Sequence, residues 1–70
     1  MTFYEIHYYV WSEPKQEYVF DFKRYKKELT ARAIFQKTEI TDDMPQIKLY
    51  ECDIDRFGCV THEQLLDEKF

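Results

Sequence analysis

One glycine, two prolines, two cysteines and a single tryptophan are all that the 70 residues contain of those types. Scarce Gly and Pro beside 44% hydrophobic residues argue against a disordered chain. Cys52 and Cys59 are too few for a disulfide framework and lack a second pair of metal ligands, so reduced thiols are expected. No apolar run approaches the roughly 18 residues that cross a bilayer, and no basic-then-apolar leader opens the chain. A cytoplasmic protein without membrane contact is expected. There is no Gly-rich phosphate loop and no recognisable nucleophile setting for either cysteine. The expectation is therefore a non-enzyme with no cofactor and no metal.

What the chain has in quantity is aromatic rings. Thirteen of its residues are Phe, Tyr or Trp, and most fall in Phe3–Trp11 and Tyr18–Phe22, either side of a loop centred on Pro14. Aromatic and β-branched residues suit a pleated, half-buried surface, so this stretch reads as a β-hairpin. Alternation sorts the first strand into Tyr4, Ile6, Tyr8 and Val10 against Phe3, Glu5, His7, Tyr9 and Trp11. Pairing Val10 with Phe20 or Tyr18 would make one face wholly apolar by adding Tyr18, Phe20 and Phe22. On that register Tyr8 and Phe20 are core, while Glu5 and Lys23 are solvated and tolerant of change. The second face, with Val19 and Asp21, is polar but ends in Tyr9 and Trp11.

Lys26 to about Thr38 lacks Gly and Pro and is the best helix candidate, with Glu28 and Arg32 four apart. Leu29, Ala33, Ile34 and Phe35, with Tyr25 and Ala31 at the edges, form its apolar stripe. Thr41–Pro45 reads as a loop and Ile47–Ile54 as a third strand, whose apolar residues change face midway. Asp55-Arg56-Phe57-Gly58 fits a hairpin turn. Thr61-His62-Glu63-Gln64 has the capping-box pattern, which predicts a short C-terminal helix after a very short strand at Cys59–Val60. The expected fold is α+β: one compact domain over residues 1–70, in ββαββ order. Three to four antiparallel strands would carry one helix across a face and a short C-terminal helix.

Asp53 to Gln64 resembles the EF-hand calcium loop: Asp53 and Asp55 match the first two ligand positions, Gly58 the central turn and Val60 the apolar position. The resemblance covers 12 of the 70 residues. Phe57 stands where a third oxygen ligand belongs and Gln64 where a bidentate Glu supplies two oxygens, leaving too few for the 6–8 that calcium takes, so no calcium binding is expected. Glu5 and His7 project on one side of the first strand and Glu51 and Asp53 share one side of the third, so if those strands were neighbours a carboxylate–His cluster able to hold a divalent metal could form.

Charge is uneven. Residues 22–38 sum to +5, residues 1–21 to −3 and residues 39–70 to −6, for a net −4. The basic junction Lys23, Arg24, Lys26 and Lys27 offers a nucleic-acid reading, but a pI near 5.0 makes such a partner the lesser expectation. The leading expectation is a protein-interaction module, self-associating or docking on another protein through Phe3, Tyr9, Trp11 and Val19, with Trp11 at the centre. Such a module suits a small accessory or inhibitory factor of the kind phage and mobile elements encode. Its acidic C-terminal half would also permit mimicry of nucleic acid.

Overall fold

The structure, a computed structural model, describes residues Met1–Phe70. Strands β1 (Thr2–Ser12) and β2 (Glu17–Tyr25) precede helix α1 (Glu28–Lys37), and strands β3 (Ile47–Ile54) and β4 (Val60–Lys69) follow it. All neighbouring strands are antiparallel, in the order β2-β1-β3-β4. The α+β expectation holds at its upper count of four strands, with α1 packed on one face.

The turn fixes the register of the first hairpin. Glu13 to Gln16 form a four-residue loop between Ser12 and Glu17, with Pro14 second, where its fixed φ suits a type I turn. Gln16 closes the loop at φ 54°, its amide donating to the Ser12 carbonyl at 2.8 Å. Val10 therefore pairs with Val19, Tyr9 with Phe20 and His7 with Phe22. This is one residue away from the register that would gather Tyr18, Phe20 and Phe22 with Tyr4, Ile6, Tyr8 and Val10 on one side, and the slip exchanges the faces of β2. Tyr18, Phe20 and Phe22 share a face with Tyr9 and Trp11, and Val19 joins Val10 and Tyr8 on the other.

The core lies on the helix side. Ile6 from β1, Ile47 and Leu49 from β3, and Ala31 and Phe35 from α1 are buried together. Tyr4, Tyr8, Tyr25, Ile34, Met44 and Leu66 pack around them. The buried helix stripe is Ala31 and Phe35, four apart, with Ile34 beside them. Leu29, expected in that stripe, is 84% exposed, and Ala33 is exposed too. A ten-residue helix spans about 15 Å, less than half of an eleven-residue strand, so it cannot roof the whole sheet. Asp21 and Lys23 can thus occupy the helix side of β2 and remain in water.

The expected C-terminal helix is instead β4. Strand β3 is interior and needs a hydrogen-bonding partner on its far edge, and the Asp55–Cys59 loop returns the chain to supply it. Gly58 sits at φ 84°, and the Asp55 carboxylate accepts from the amides of Phe57 and Cys59 at 2.9 and 3.0 Å. The Thr61 hydroxyl, free of any capping role, donates to the Asp53 carbonyl at 3.2 Å. Ladder bonds outweigh the weak preference of a short, marginal helix. Register shifts at Thr61 and Leu66 let β4 bend, and Leu66 reaches the core. Near its end, Lys69 donates to the carbonyls of Phe35, Gln36 and Thr38 at 2.8–3.1 Å. That cation at a helix C-terminus satisfies orphan carbonyls and complements the helix dipole.

These positions reverse the expectation that Phe20 is core. Leu49→Ala should destabilise by about 2–5 kcal/mol, as buried large-to-small changes do. Phe20→Ala should cost about 1 kcal/mol or less, because it removes only cross-strand ring contacts on an exposed face. Urea unfolding of the two variants checks the assignment of the faces.

Candidate functional site: the open face of the sheet

The face that α1 leaves uncovered is built from alternate residues of four strands. β2 contributes Tyr18, Phe20, Phe22 and Arg24; β1 contributes Phe3, Glu5, His7, Tyr9 and Trp11; β3 contributes Lys48, Tyr50 and Cys52. Glu63, Leu65 and Glu68 of β4 pair with Cys52, Tyr50 and Lys48. The face divides into a ring-covered half and a polar half.

In the ring-covered half His7 is central. Its imidazole lies 5.3 Å from the Phe20 ring, 5.9 Å from Phe22 and 4.5 Å from Tyr50, centroid to centroid. Tyr9 meets Phe20 at 5.6 Å, and Trp11 meets Tyr18 edge-on at 5.2 Å. Edge-to-face geometry suits ring quadrupoles and holds these side chains in place. Even so, Tyr9, Tyr18, Phe20 and Phe22 remain 43–48% exposed. A hollow of about 80 Å³ between His7, Tyr9, Phe20, Gln46, Lys48 and Tyr50 is far below the roughly 300–1,000 Å³ of small-molecule sites. The surface is a flat platform.

In the polar half Glu5 is only 4% exposed, contrary to its expected solvated position. Arg24, directly opposite on β2, donates from Nε at 2.7 Å and approaches the same oxygen with Nη2 at 2.6 Å. An ionised carboxylate only accepts, so His7 Nε2, 2.9 Å from the other oxygen, is the donor there. Burial pushes the Glu5 carboxyl up, but the hydrogen bonds from His7 and Arg24 outweigh it and hold it below its ordinary value. The Arg24 guanidinium is itself 5.8 Å from the Phe3 and Phe22 rings. This network joins the two halves.

Glu5, Cys52 and Glu63 bring three donor atoms within 4.8 Å of one another. Their chemistry fits a metal poorly. Arg24 already supplies the cation that Glu5 requires, and burial, reinforced by the Glu5 and Glu63 carboxylates, pushes the Cys52 thiol up to about 12. The cluster of Glu5 and His7 with Glu51 and Asp53 does not form, because Glu51 and Asp53 pair with Tyr4 and Thr2 and share their face. Asp53 accepts from the Thr2 hydroxyl at 2.9 Å, and the EF-hand-like segment is the β3–β4 hairpin.

Of the interaction residues expected from the sequence, Phe3, Tyr9 and Trp11 lie on the open face and Val19 lies on the other. Trp11 stands at the hairpin end of the platform, half-buried, its indole donating to Glu13 at 2.9 Å. Tyr18, Phe20 and Phe22, core residues in the expected register, join this surface through the register that the Pro14 loop sets, and Tyr50 joins it through the pairing of β3 with β1. The basic junction is split: Lys23 points to the helix side, Arg24 is held by Glu5, and Lys26 and Lys27 occupy the link to α1. No helix is long and apolar enough to cross a membrane. No family model, curated protein or solved structure matches the chain. Fold and site together define a two-layer α+β domain with an open aromatic sheet face.

Two measurements follow from the polar half. The folded-state value of Glu5 lies below its unfolded one, so its stabilisation is present above the unfolded value and vanishes as pH falls through the folded one. Glu5→Ala should cost about 1–3 kcal/mol at neutral pH by leaving its partners unsatisfied. The difference from the parent protein should shrink in strong acid, well below the ordinary glutamate value of about 4.3. Urea titrations across pH record it.

The second concerns the thiols, both free, with Cys52 buried and Cys59 exposed. Iodoacetamide at mildly alkaline pH should label the folded protein once, at Cys59, since the thiolate is the nucleophile. Label should enter Cys52 only after denaturant is added, as peptide mass spectrometry would show.

Proposed function

We propose that this chain is a small non-enzymatic protein-binding module that docks through the open face of its sheet, with Tyr9, Phe20, Phe22 and Tyr50 as its principal contacts. One observation carries the proposal: a four-stranded sheet with a helix on one side leaves contiguous, half-exposed rings on the other. At roughly 150–250 Å² for a fully buried ring, Tyr9, Tyr18, Phe20 and Phe22 near half exposure leave about 300–500 Å² of aromatic surface. That matches the largest apolar patches of soluble monomers, which are often functional. Tyr and Trp at the centre of an interface are the usual carriers of binding energy. Their network of ring contacts also limits the side-chain entropy lost on docking. An accessory or inhibitory role suits a domain that offers a surface without reactive chemistry.

The nucleic-acid reading draws on the same rings, since bases stack on aromatic platforms. Its cations are divided among three places, and the chain carries a net charge of −4. The deciding experiment is affinity capture from the native cell with three baits: the parent protein, Phe20→Asp, and Leu29→Asp on the far side of α1. Partners should be retained by the parent and by Leu29→Asp, and lost with Phe20→Asp. Equal capture by all three would refute docking through this face. A gel shift with single-stranded DNA that survives rising salt would instead favour the nucleic-acid reading.

A further inference from the structure

The molecule has more surface than its mass calls for. It exposes 5212 Å², where a compact monomer of 8.7 kDa exposes about 4,700 Å². Its radius of gyration is 13.0 Å against the roughly 11 Å expected for 70 residues. Principal extents of 37 × 25 × 15 Å describe a slab. The sheet has a short helix layer on one side and nothing on the other, and its open face carries the half-exposed rings. A standard interface removes about 800 Å² from each partner, enough to absorb this excess of roughly 500 Å².

Resting on the protein-binding reading of the open face, we propose that its occupant is a second copy of this chain, stacked sheet on sheet about a twofold axis. A flat face is complementary to itself, and two sheets pack with their inner side chains interleaved about 10 Å apart. The charges are suitably placed. Between Arg24 and the hairpin tip, the open-face residues of β1 and β2 carry no formal charge apart from Glu5, which Arg24 neutralises. Lys48 of β3, beside His7, pairs across the strands with Glu68, and Glu63 and Glu68 lie on the edge strand β4, at the rim of a contact centred on the hairpin.

The arrangement can be specified further. An axis running across the strands, between the Tyr9–Phe20 and His7–Phe22 rows, lays each hairpin on its copy with the strands reversed. Tyr9 and Phe20 then face the partner's His7 and Phe22. The Glu5–Arg24 row meets the partner's Trp11–Tyr18 row, where the Trp11 indole is bonded to Glu13. Arg24 already lies near two rings, and it would gain the ring of the partner's Tyr18, which faces it across the contact and suits a guanidinium. The helices would end outermost, giving four layers with one shared core.

Sedimentation equilibrium of the full chain, from low to high micromolar concentration, tests this. The expected result is a species of twice the 8.7 kDa chain mass. Phe20→Asp should weaken association at least about thirty-fold, the change expected of a hot spot, with Leu29→Asp behaving as the parent. Circular dichroism establishes that the variants fold, and Tyr9→Ser, a milder change on the same face, should weaken association in the same direction. A monomer at all concentrations overturns the second copy. If that monomer still loses captured partners on Phe20→Asp, the protein-binding reading survives; if it does not, both fall. A dimer indifferent to Phe20→Asp and Tyr9→Ser also overturns the proposal, because the copies would then join elsewhere, such as along the free edge of β2 or β4.

Discussion

The rest of the structure depends on the register in which β1 meets β2. Side chains alternate across a sheet, so displacement by one residue would send Tyr18, Phe20 and Phe22 to the helix side and bring Val19, Asp21 and Lys23 to the open side. Two local features hold the observed register. At one end Pro14 and the left-handed Gln16 close a four-residue loop. At the other, Glu5 and Arg24 face one another across the strands and bond at 2.7 Å. A slip would leave a nearly buried carboxylate without its guanidinium, a loss much costlier than that of an exposed ion pair.

The two faces differ because the helix is short. Phe35 and Ala31 seal Ile6, Ile47 and Leu49 in a compact core over the middle of the sheet, and Lys69 ties the last strand to the end of that helix. The distal part of the hairpin projects beyond this cover. There the loop before β3 gives support of a different kind: the Asp43 carbonyl accepts from the Trp11 amide at 2.8 Å, and the Asp42 carbonyl from the Tyr18 hydroxyl at 3.1 Å. The platform is thus held by hydrogen bonds and ring-to-ring contacts rather than by burial. This is how half-exposed aromatics keep a defined arrangement.

Much of the fold was legible in the sequence, because hairpin, helix and third strand each announce themselves in local composition. The fourth strand was not. Thr61 to Gln64 carries a helix-start pattern, and only the unmet hydrogen-bonding edge of β3 makes a strand the better outcome for this segment. The aromatic surface was legible in kind and misplaced in membership. Phe3, Tyr9 and Trp11 were recognised from their alternation with core residues in β1. Phe20 and Phe22 read as core in sequence because collecting apolar residues on one side is the ordinary rule for a two-layer domain. That rule fails where a sheet has apolar side chains on both faces. Glu5 was hidden for a related reason: its burial depends on Arg24 from another strand, which no local pattern displays.

The pairing of the first hairpin can be observed directly by cross-strand nuclear Overhauser effects in labelled protein. The backbone of Val10 should show contacts to Val19, and that of Glu5 to Arg24, with ring contacts joining His7 to Phe20 and Phe22. Contacts pairing Val10 with Phe20 or with Tyr18 would contradict the account, because the aromatic platform would then be part of the core.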